Sequence, residues 1–371
     1  MHELVAAALE HQDFKRAAQL IKKWRKVSPK DPLTLLYIAK LQEETLQFDA
    51  AEKTYLKFLK LVNSPKLMGQ AREGLRRVQK AREASREQAL EESKALLGSD
   101  EPGLLLLEPP ADRQQAAQGL AKILKIDPYT ARLQLPSQGM RLQRIGPIGE
   151  LQYFGESLQK VGLPTYWARV DAVKQIQTFQ IKHFKALTPQ ATVVCQSSQG
   201  QLGTIQFDWS EITQRIGGQL PIFEQVADIG PWGKPMRKEQ TQDYAQLLDL
   251  HLHDRKIVLR LCDRTYEFQK SVALMPNSPS DLIQRTTRIR WNALLQHIHS
   301  AVTGPLDSDF KHFGQGALEF IDLLPYIHPH LEIDRRAPSN WDPAFHLYSA
   351  LRFLKGQAAE SENSSGQTGL N

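Results

Sequence analysis

The chain has 371 residues, of which 41% are apolar and 24% charged, so it can build the cores of several domains. No run approaches the roughly 18 consecutive apolar residues of a membrane-spanning helix, and the start, with Glu3 and Glu10, is unlike a signal peptide. The net charge of +6 is concentrated in residues 1–100, where 19 basic and 14 acidic side chains indicate a mild preference for an acidic partner.

An internal repeat of 34 residues organises the N-terminal region. Four pairs of positions recur at this spacing: Phe14 and Phe48, Ala17 and Ala51, Ile21 and Tyr55, and Trp24 and Phe58. The alanines allow two helices to approach closely, and the large residues lie three or four apart on one helical face. A period of 34 predicts a two-helix hairpin that stacks on copies of itself. The strongly helical and increasingly polar residues after Pro65 predict a capping helix.

The segments DFKRAAQLIKKWRKVSPKDP and FDAAEKTYLKFLKLV resemble the tetratricopeptide repeat. The resemblance covers about two repeats, or 65 residues, and departs from the family at Gln42 and Asn63. It implies a concave, partner-binding surface lined by the first helix of each repeat. By position, that surface contains Leu33, Leu36, Lys40, Glu43, Glu44, Gln70 and Arg77. The two leucines suit an apolar helix or strand, and Lys40 and Arg77 are available for a carboxylate.

Residues 98–103, GSDEPG, mark a boundary, and a small α/β sandwich is predicted over 100–171. Its predicted elements are a strand over 104–109, a helix over 112–125, a short helix capped by Asp127, a strand over 140–146, a helix over 148–162 and a strand over 164–170. This order resembles the split βαβ sandwiches used as docking or regulatory modules. No glycine-rich phosphate loop follows the first strand, so the sequence carries no nucleotide-binding signal.

Alternating apolar and polar residues predict a β-rich module over 172–275. The run TIQFDWSEITQRIGGQL, in which a strand ends at Trp209, is similar to small antiparallel barrels of the pleckstrin-homology type. A helical module over 276–355 and a disordered polar tail over 356–371 are predicted to follow. With helical repeats over 1–99, the predicted fold class is multidomain α+β.

The candidate chemistry is sparse. His251 and His253 share one face of a predicted strand with Asp249 and could chelate a metal, but the sequence specifies no third ligand. We therefore expect neither a metal nor another cofactor. Arginines 260, 264, 285 and 288 could bind a phosphate or an acidic peptide, or form structural ion pairs. Cys195 and Cys262 lie in apolar surroundings, which favours unpaired thiols in a reducing cytoplasm.

The sequence contains no nucleophile elbow, paired-cysteine metal motif, kinase signature or phosphate loop, so we expect a protein that is not an enzyme. The first hypothesis is an interaction scaffold or assembly factor that recruits partner proteins through its helical repeats. The layout resembles bacterial repeat proteins, cyanobacterial ones among them, that assist the assembly of larger complexes. A second hypothesis is a nucleic-acid or acidic-surface binder that uses the basic N-terminal helices. The third is a metal protein or hydrolase centred on His251 and His253.

Overall fold

The computed structural model describes residues 1–29, 31–229, 235–273, 286–335 and 337–367. The chain forms two compact units: unit 1 is Met1–Ala95, and unit 2 is Leu96–Asn371. The predicted boundary after residue 99 falls close to this division, whereas the predicted boundary at 171/172 falls inside unit 2. Helices at the N-terminus and two sheets in unit 2 confirm the α+β class. No helix within the described ranges is long and apolar enough to cross a membrane.

Unit 1 is built from helices that pack as successive hairpins. They are α1 (His2–Glu10), α2 (Phe14–Val27), α3 (Leu33–Glu44), α4 (Phe48–Leu59) and α5 (Pro65–Lys94). α1 packs on α2 and α3 packs on α4, while α3 also contacts α1, α2 and α5. The hairpin turns are equivalent, because Gln12 and Leu46, which are 34 residues apart, both adopt positive φ values, 56° and 59°. The repeat seen in the sequence is therefore also a repeat of backbone conformation.

The residues that carry the repeat form the interior of unit 1. Three pairs are buried: Ala17 and Ala51, Ile21 and Tyr55, and Trp24 and Phe58. Asp31 joins the two hairpins, since one carboxylate oxygen accepts from the Trp24 indole N–H (3.2 Å) and the other from the Leu33 backbone N–H (2.9 Å). This bond fixes the start of α3 against the end of α2.

The first sheet of unit 2 has three strands with helices between them. The elements are β1 (Pro102–Leu107), α6 (Arg113–Leu124), α7 (Pro128–Gln134), β2 (Arg141–Pro147), α8 (Ile148–Lys160) and β3 (Thr165–Arg169). β1 lies in the centre and runs antiparallel to both neighbours, so β2 and β3 are parallel and α8 connects them. This arrangement is the predicted split βαβ unit. Leu105 and Leu107 pack against α6, α7 and α8, while Leu104 and Leu106 face the opposite core.

The second sheet has seven strands in the order β10-β7-β8-β9-β4-β5-β6. After α9 (Val170–Lys174), its strands are β4 (Gln177–Ala186), β5 (Ala191–Gln196), β6 (Leu202–Phe207), β7 (Gln214–Ile229), β8 (Pro235–Leu252), β9 (Ile257–Cys262) and β10 (Leu306–Asp307). The expected small barrel is wrong, because β6 and β10 lie at opposite edges and the sheet stays open. The chain crosses over to pair β4 with β9 in parallel, and a barrel of antiparallel neighbours has no such pairing.

Helices cover both faces of the larger sheet. α10 (Thr287–Ala301) packs on one face, and α11 (Phe310–Ala317) and α12 (Trp341–Gln367) lie on the other. The hydrophobic core between the larger sheet and helices α11 and α12 also includes Leu104 and Leu106 of β1. The two sheets of unit 2 therefore share this core. α12 continues through residues 356–367, which were predicted to be disordered, while residues 368–371 lie outside the described part. Cys195 and Cys262 are buried and unpaired.

Candidate functional site

Helix α2 carries an uncompensated positive charge. Its 14 residues include six cations and no acid: Lys15, Arg16, Lys22, Lys23, Arg25 and Lys26. Asp13 caps the helix, accepting from the Arg16 backbone N–H at 3.0 Å. None of the six cations forms an ion pair with another residue that the structure describes. Like charges one turn apart on a helix repel each other, so this face of α2 is suited to contact with an acidic partner.

An apolar groove lies beside these cations. It has a volume of about 460 Å³ and is lined by Ala18, Ile21, Lys22, Arg25, Lys26, Ile38 and Leu41. Ile21, Ile38 and Leu41 form the floor, and Lys22, Arg25 and Lys26 form the rim. Two of the rim residues, Lys22 and Lys26, are four apart and therefore lie on the same side of α2. We call this feature the α2–α3 groove.

One of the residues predicted to bind a partner, Leu36, belongs to the core, and a second, Leu33, packs against it. Leu36 is 1% exposed and packs with Ala39, Ala51 and Tyr55 between α3 and α4. Leu33 is half-buried at the junction of the two hydrophobic clusters of unit 1. The resemblance placed both on an open surface, but here their side chains hold the hairpins together. For Leu36 the predicted apolar contact with a partner is therefore corrected to an internal one, whereas Leu33 keeps part of its surface.

The predicted polar residues of the surface are partly engaged with each other. Glu43 accepts a bidentate pair of bonds from Arg77, at 2.7 Å from Nε and 3.1 Å from Nη2. The buried Tyr55 hydroxyl donates to the same carboxylate at 2.7 Å. Burial and the Glu43 carboxylate raise the pKa of Tyr55, so its hydroxyl stays protonated as the donor. Arg77 is thus already bound to a carboxylate of its own chain.

The remaining predicted residues stay accessible. The Lys40 ammonium lies over the Tyr37 ring, 5.2 Å from its centroid, and Glu44 and Gln70 are exposed. The structure therefore brings Glu43 and Arg77 together, and it adds Tyr55, whose polar role the sequence did not reveal. Glu43 and Arg77 are 34 residues apart, so the repeat itself was the signal that could have paired them.

Asp249 and His251 share one face of β8, as the strand period predicted, and His253 lies in the turn just after the strand ends at Leu252, but all three side chains have other partners. The Asp249 carboxylate accepts from Arg260 Nε at 2.8 Å and from Nη2 at 2.6 Å. His251 Nε2 lies 3.0 Å from Ser349 Oγ, and His253 Nδ1 lies 2.9 Å from Glu360 Oε1. Burial, with the charges of His253 and Arg260, lowers the pKa of His251 well below its usual value. No three His, Cys, Asp or Glu side chains in the described ranges are arranged to hold a metal.

These groups form a buried polar interface between α12 and the larger sheet. The His330 ring lies 4.8 Å from that of His346 and 5.0 Å from that of His328, measured between centroids. Burial, Arg260 and His328 lower the pKa of His330 to about 4. The sequence did not reveal the part played by His346. The spacing of Asp342, His346 and Ser349 on one helical face was the available signal.

Two of the arginines considered for phosphate binding, Arg260 and Arg264, have structural partners, whereas Arg288 forms no ion pair with a residue that the structure describes. Arg260 is fully buried with Asp249, and Arg264 donates to Asp243. Arg285 lies outside the described residues. For Arg260 and Arg264, the structure fits the interpretation as structural ion pairs.

Comparison with known proteins adds no relative. No protein-family model matches the chain, and searches of the curated proteins and of the solved structures found no match. The function is therefore argued from the geometry of this chain.

Proposed function

We propose that this protein is a non-catalytic interaction protein that recruits or assembles partner proteins through unit 1. The observation that supports this proposal is the α2–α3 groove, in which an apolar floor lies beside cations that have no ion-pair partner among the described residues. The occupant that matches this chemistry is an acidic amphipathic helix of a partner protein. The concave surface implied by the tetratricopeptide resemblance is a less suitable site, because Leu36 and Arg77 are already engaged.

The apolar floor and the cationic rim of the groove contribute to the free energy of binding in different ways. Apolar residues of the partner, spaced three and four apart, would cover Ile38 and Leu41, and burial of apolar area contributes about 25 cal/mol per Å² before the costs of association. Carboxylates along the flank of the same helix would pair with Lys22, Arg25 and Lys26. Such exposed pairs contribute about 0.2–1 kcal/mol each, but they orient the partner and speed its association.

Nucleic-acid binding is the second candidate, and the six cations of α2 are the observation that favours it. Two features count against it. Trp24, the aromatic residue inside the basic segment, is 5% exposed and cannot stack on a base. The apolar floor of the groove also has no role in contact with a phosphate backbone. An acidic helix uses both the floor and the rim, and we favour it for that reason.

Other features of the chain bear on the class of protein and on its location. The stacked hairpins with equivalent turns support a tetratricopeptide-like architecture, and the layout supports a bacterial assembly factor. Two buried, unpaired cysteines support a reducing, cytoplasmic location. The lack of a catalytic constellation in the sequence motivates the non-enzyme assignment.

Fluorescence anisotropy with three labelled probes tests the proposal on the full chain. The probes are a glutamate-rich amphipathic helical peptide with leucines on one face, its lysine-for-glutamate counterpart, and a short single-stranded DNA. We expect saturable binding of the acidic peptide, little binding of the basic peptide, and weaker, strongly salt-dependent binding of the DNA. Tighter binding of the DNA than of the acidic peptide would support the second candidate instead.

Two neighbouring lysines provide a matched pair of variants. Lys22 lines the groove, whereas Lys23 is exposed on α2 outside it. Lys22→Glu is expected to weaken the acidic peptide about tenfold, because it replaces an attractive contact with a repulsive one. Lys23→Glu changes the net charge equally and is expected to have a smaller effect. Equal losses of affinity in both variants would mean that the net charge of α2, and not the position of Lys22 in the groove, determines peptide binding.

A further inference from the structure

Unit 2 contains a cavity of about 600 Å³ that the proposed function does not use. It opens over Gly217 of β7, with Leu248 of β8 beneath it and Trp291, Leu295 and His299 of α10 forming a wall. Gly217 leaves space there, since a Cβ added to it would meet only ordinary contacts, the nearest being Ser308 Oγ at 3.5 Å. The volume is within the range of about 300–1,000 Å³ that is typical of small-molecule sites.

The charged side chain that lines this cavity, Lys311, is a cation, and the neutral polar side chains there, Gln219, Gln246 and Gln315 among them, can donate as well as accept hydrogen bonds. Lys311 lies at the rim, is exposed and has no ion-pair partner among the residues that the structure describes. The indole N–H of Trp291, a residue that is 0% exposed, has no acceptor within the same part of the chain. No aspartate or glutamate among the described residues lines the cavity. A buried donor without an acceptor costs about 1–3 kcal/mol.

A second cation, Arg215 of β7, contacts His299, one of the residues of this wall. Arg215 points to the same face of β7 as Gly217, two residues away, and is 8% exposed. Its Nη1 donates to His299 Nδ1 at 2.9 Å, and its Nη2 donates to the Gly304 carbonyl at 2.6 Å. No carboxylate in the described ranges pairs with it. Because arginine can only donate, His299 is neutral and carries its proton on Nε2, which makes it a further donor. Burial and Arg215 lower the pKa of His299, in agreement with the neutral form.

We propose that this cavity binds a small amphipathic organic carboxylate. The apolar part of the ligand packs between Trp291, Leu295 and Leu248, and its carboxylate faces Lys311 and the donor-rich wall backed by Arg215. A buried cation without a counter-charge is costly. A ligand with a negative charge therefore supplies the counter-charge that this site lacks. This site is separate from the α2–α3 groove and does not depend on the function proposed for unit 1.

Isothermal titration calorimetry of the full chain with 4-phenylbutyrate tests this site, with the uncharged 4-phenylbutyramide as the matched ligand. We expect saturable binding of the carboxylate and binding of the amide that is weaker by about tenfold, the effect of losing the charge contact. Equal affinities for acid and amide would overturn the assignment to an anion. The absence of any saturable binding of the carboxylate would overturn the site.

Three variants locate the binding. Lys311→Gln is expected to weaken the carboxylate about fivefold and leave the amide unchanged, whereas Lys160→Gln, at an exposed lysine at the end of α8, is the control and changes neither. Gly217→Val places methyl groups in the cavity at a strand position that favours valine, and it is expected to abolish binding of both ligands. A thermal melt confirms that each variant is folded. Carboxylate binding that survives Gly217→Val, or that Lys311→Gln does not weaken, would contradict the proposal.

Discussion

The two units of this protein place their charged residues in opposite ways. In unit 1 the interior is apolar and the cations of α2 lie outside it without carboxylate partners among the described residues. In unit 2 Asp249 and Arg260 are both completely buried, and Arg335 pairs with Asp342 close by. The same residue type therefore has two roles: an arginine of α2 is available to a partner protein, whereas Arg260 is committed to the fold.

This difference predicts different responses to substitution. Charge changes on α2 are expected to alter binding and leave stability almost unchanged, because an exposed charge loses little solvation on folding. Changes in the interior of unit 2 are expected to alter stability strongly, because they leave a buried charge without its partner. The predictions below compare the two units, and hydrogen exchange measured by mass spectrometry assigns each effect to one of them.

The largest effect is expected from Asp249→Ala, which leaves the Arg260 guanidinium buried without its carboxylate. The free energy of unfolding of unit 2 is expected to fall by about 3–5 kcal/mol, measured by urea denaturation. The double variant Asp249→Ala, Arg260→Met removes both charges and is expected to recover a large part of the loss. A double variant as unstable as the single one would show that the buried pair is not the cause.

Two glycines of α5 give a matched test in unit 1. A Cβ on Gly74 would overlap the ring of Tyr55, whereas a Cβ on Gly69 would meet no atom within 4 Å in the part of the chain that the structure describes. Gly74→Ala is expected to destabilise unit 1 by about 1–3 kcal/mol, because α4 and α5 must separate. Gly69→Ala is expected to stabilise it by about 0.5–1 kcal/mol through helix propensity. Thermal denaturation measures the Tm of both variants. Shifts of Tm with the same sign would contradict the packing of Gly74 against Tyr55.

The pH dependence of stability should belong to unit 2. Burial lowers the pKa of His251 and of His346 well below 6.5, so below that pH the unfolded chain binds protons that the folded chain does not. The free energy of unfolding should therefore fall as the pH falls from about 7 to 5, by about 1.4 kcal/mol per pH unit for each fully buried histidine. Asp342, whose pKa burial raises, acts in the opposite direction at more acidic pH.

His346→Gln removes one of the titrating groups, which also include His251, His330 and His299, and is expected to reduce this slope by about a quarter to a third. Urea titrations at several pH values measure it. An unchanged slope would show that His346 takes up a proton equally well in the folded and unfolded states.

The smallest effect concerns the hydrogen bond from Tyr55 to Glu43. Tyr55→Phe removes the 2.7 Å bond and is expected to cost about 1 kcal/mol in the free energy of unfolding of unit 1. Tyr37→Phe, at the half-buried tyrosine of α3, is the control and is expected to cost less. If both variants lose the same amount, the Glu43 carboxylate does not depend on the Tyr55 hydroxyl.

The sequence predicted local structure well, and long-range pairing poorly. The repeat located the hairpins of unit 1, and the predicted strand over 164–170 agrees closely with β3, Thr165–Arg169, because helix and strand periods are local signals. The parallel pairing of β4 with β9 has no local signal, and the expected barrel failed there. The partner of Arg260 was equally invisible, since Asp249 lies on a different strand.

The candidate site was predicted only in part, for a related reason. The basic composition of α2 is visible in the sequence, but the groove beside it depends on how α2 packs against Ile38 and Leu41 of α3. Carrying over the family surface by position placed the site on the first helix of each hairpin. That assumption put Leu36 on a surface, although the packing of α3 on α4 buries it.

The most direct test of the recruiting role is a reversal of specificity. In the triple variant Lys22→Glu, Arg25→Glu, Lys26→Glu the rim of the groove becomes acidic while its floor is unchanged. Fluorescence anisotropy should then show that the variant has lost the glutamate-rich peptide and binds the lysine-rich counterpart, an outcome that requires a folded groove. A variant that still binds the acidic peptide, or that binds neither peptide while remaining folded, would contradict the claim that this groove recruits the partner.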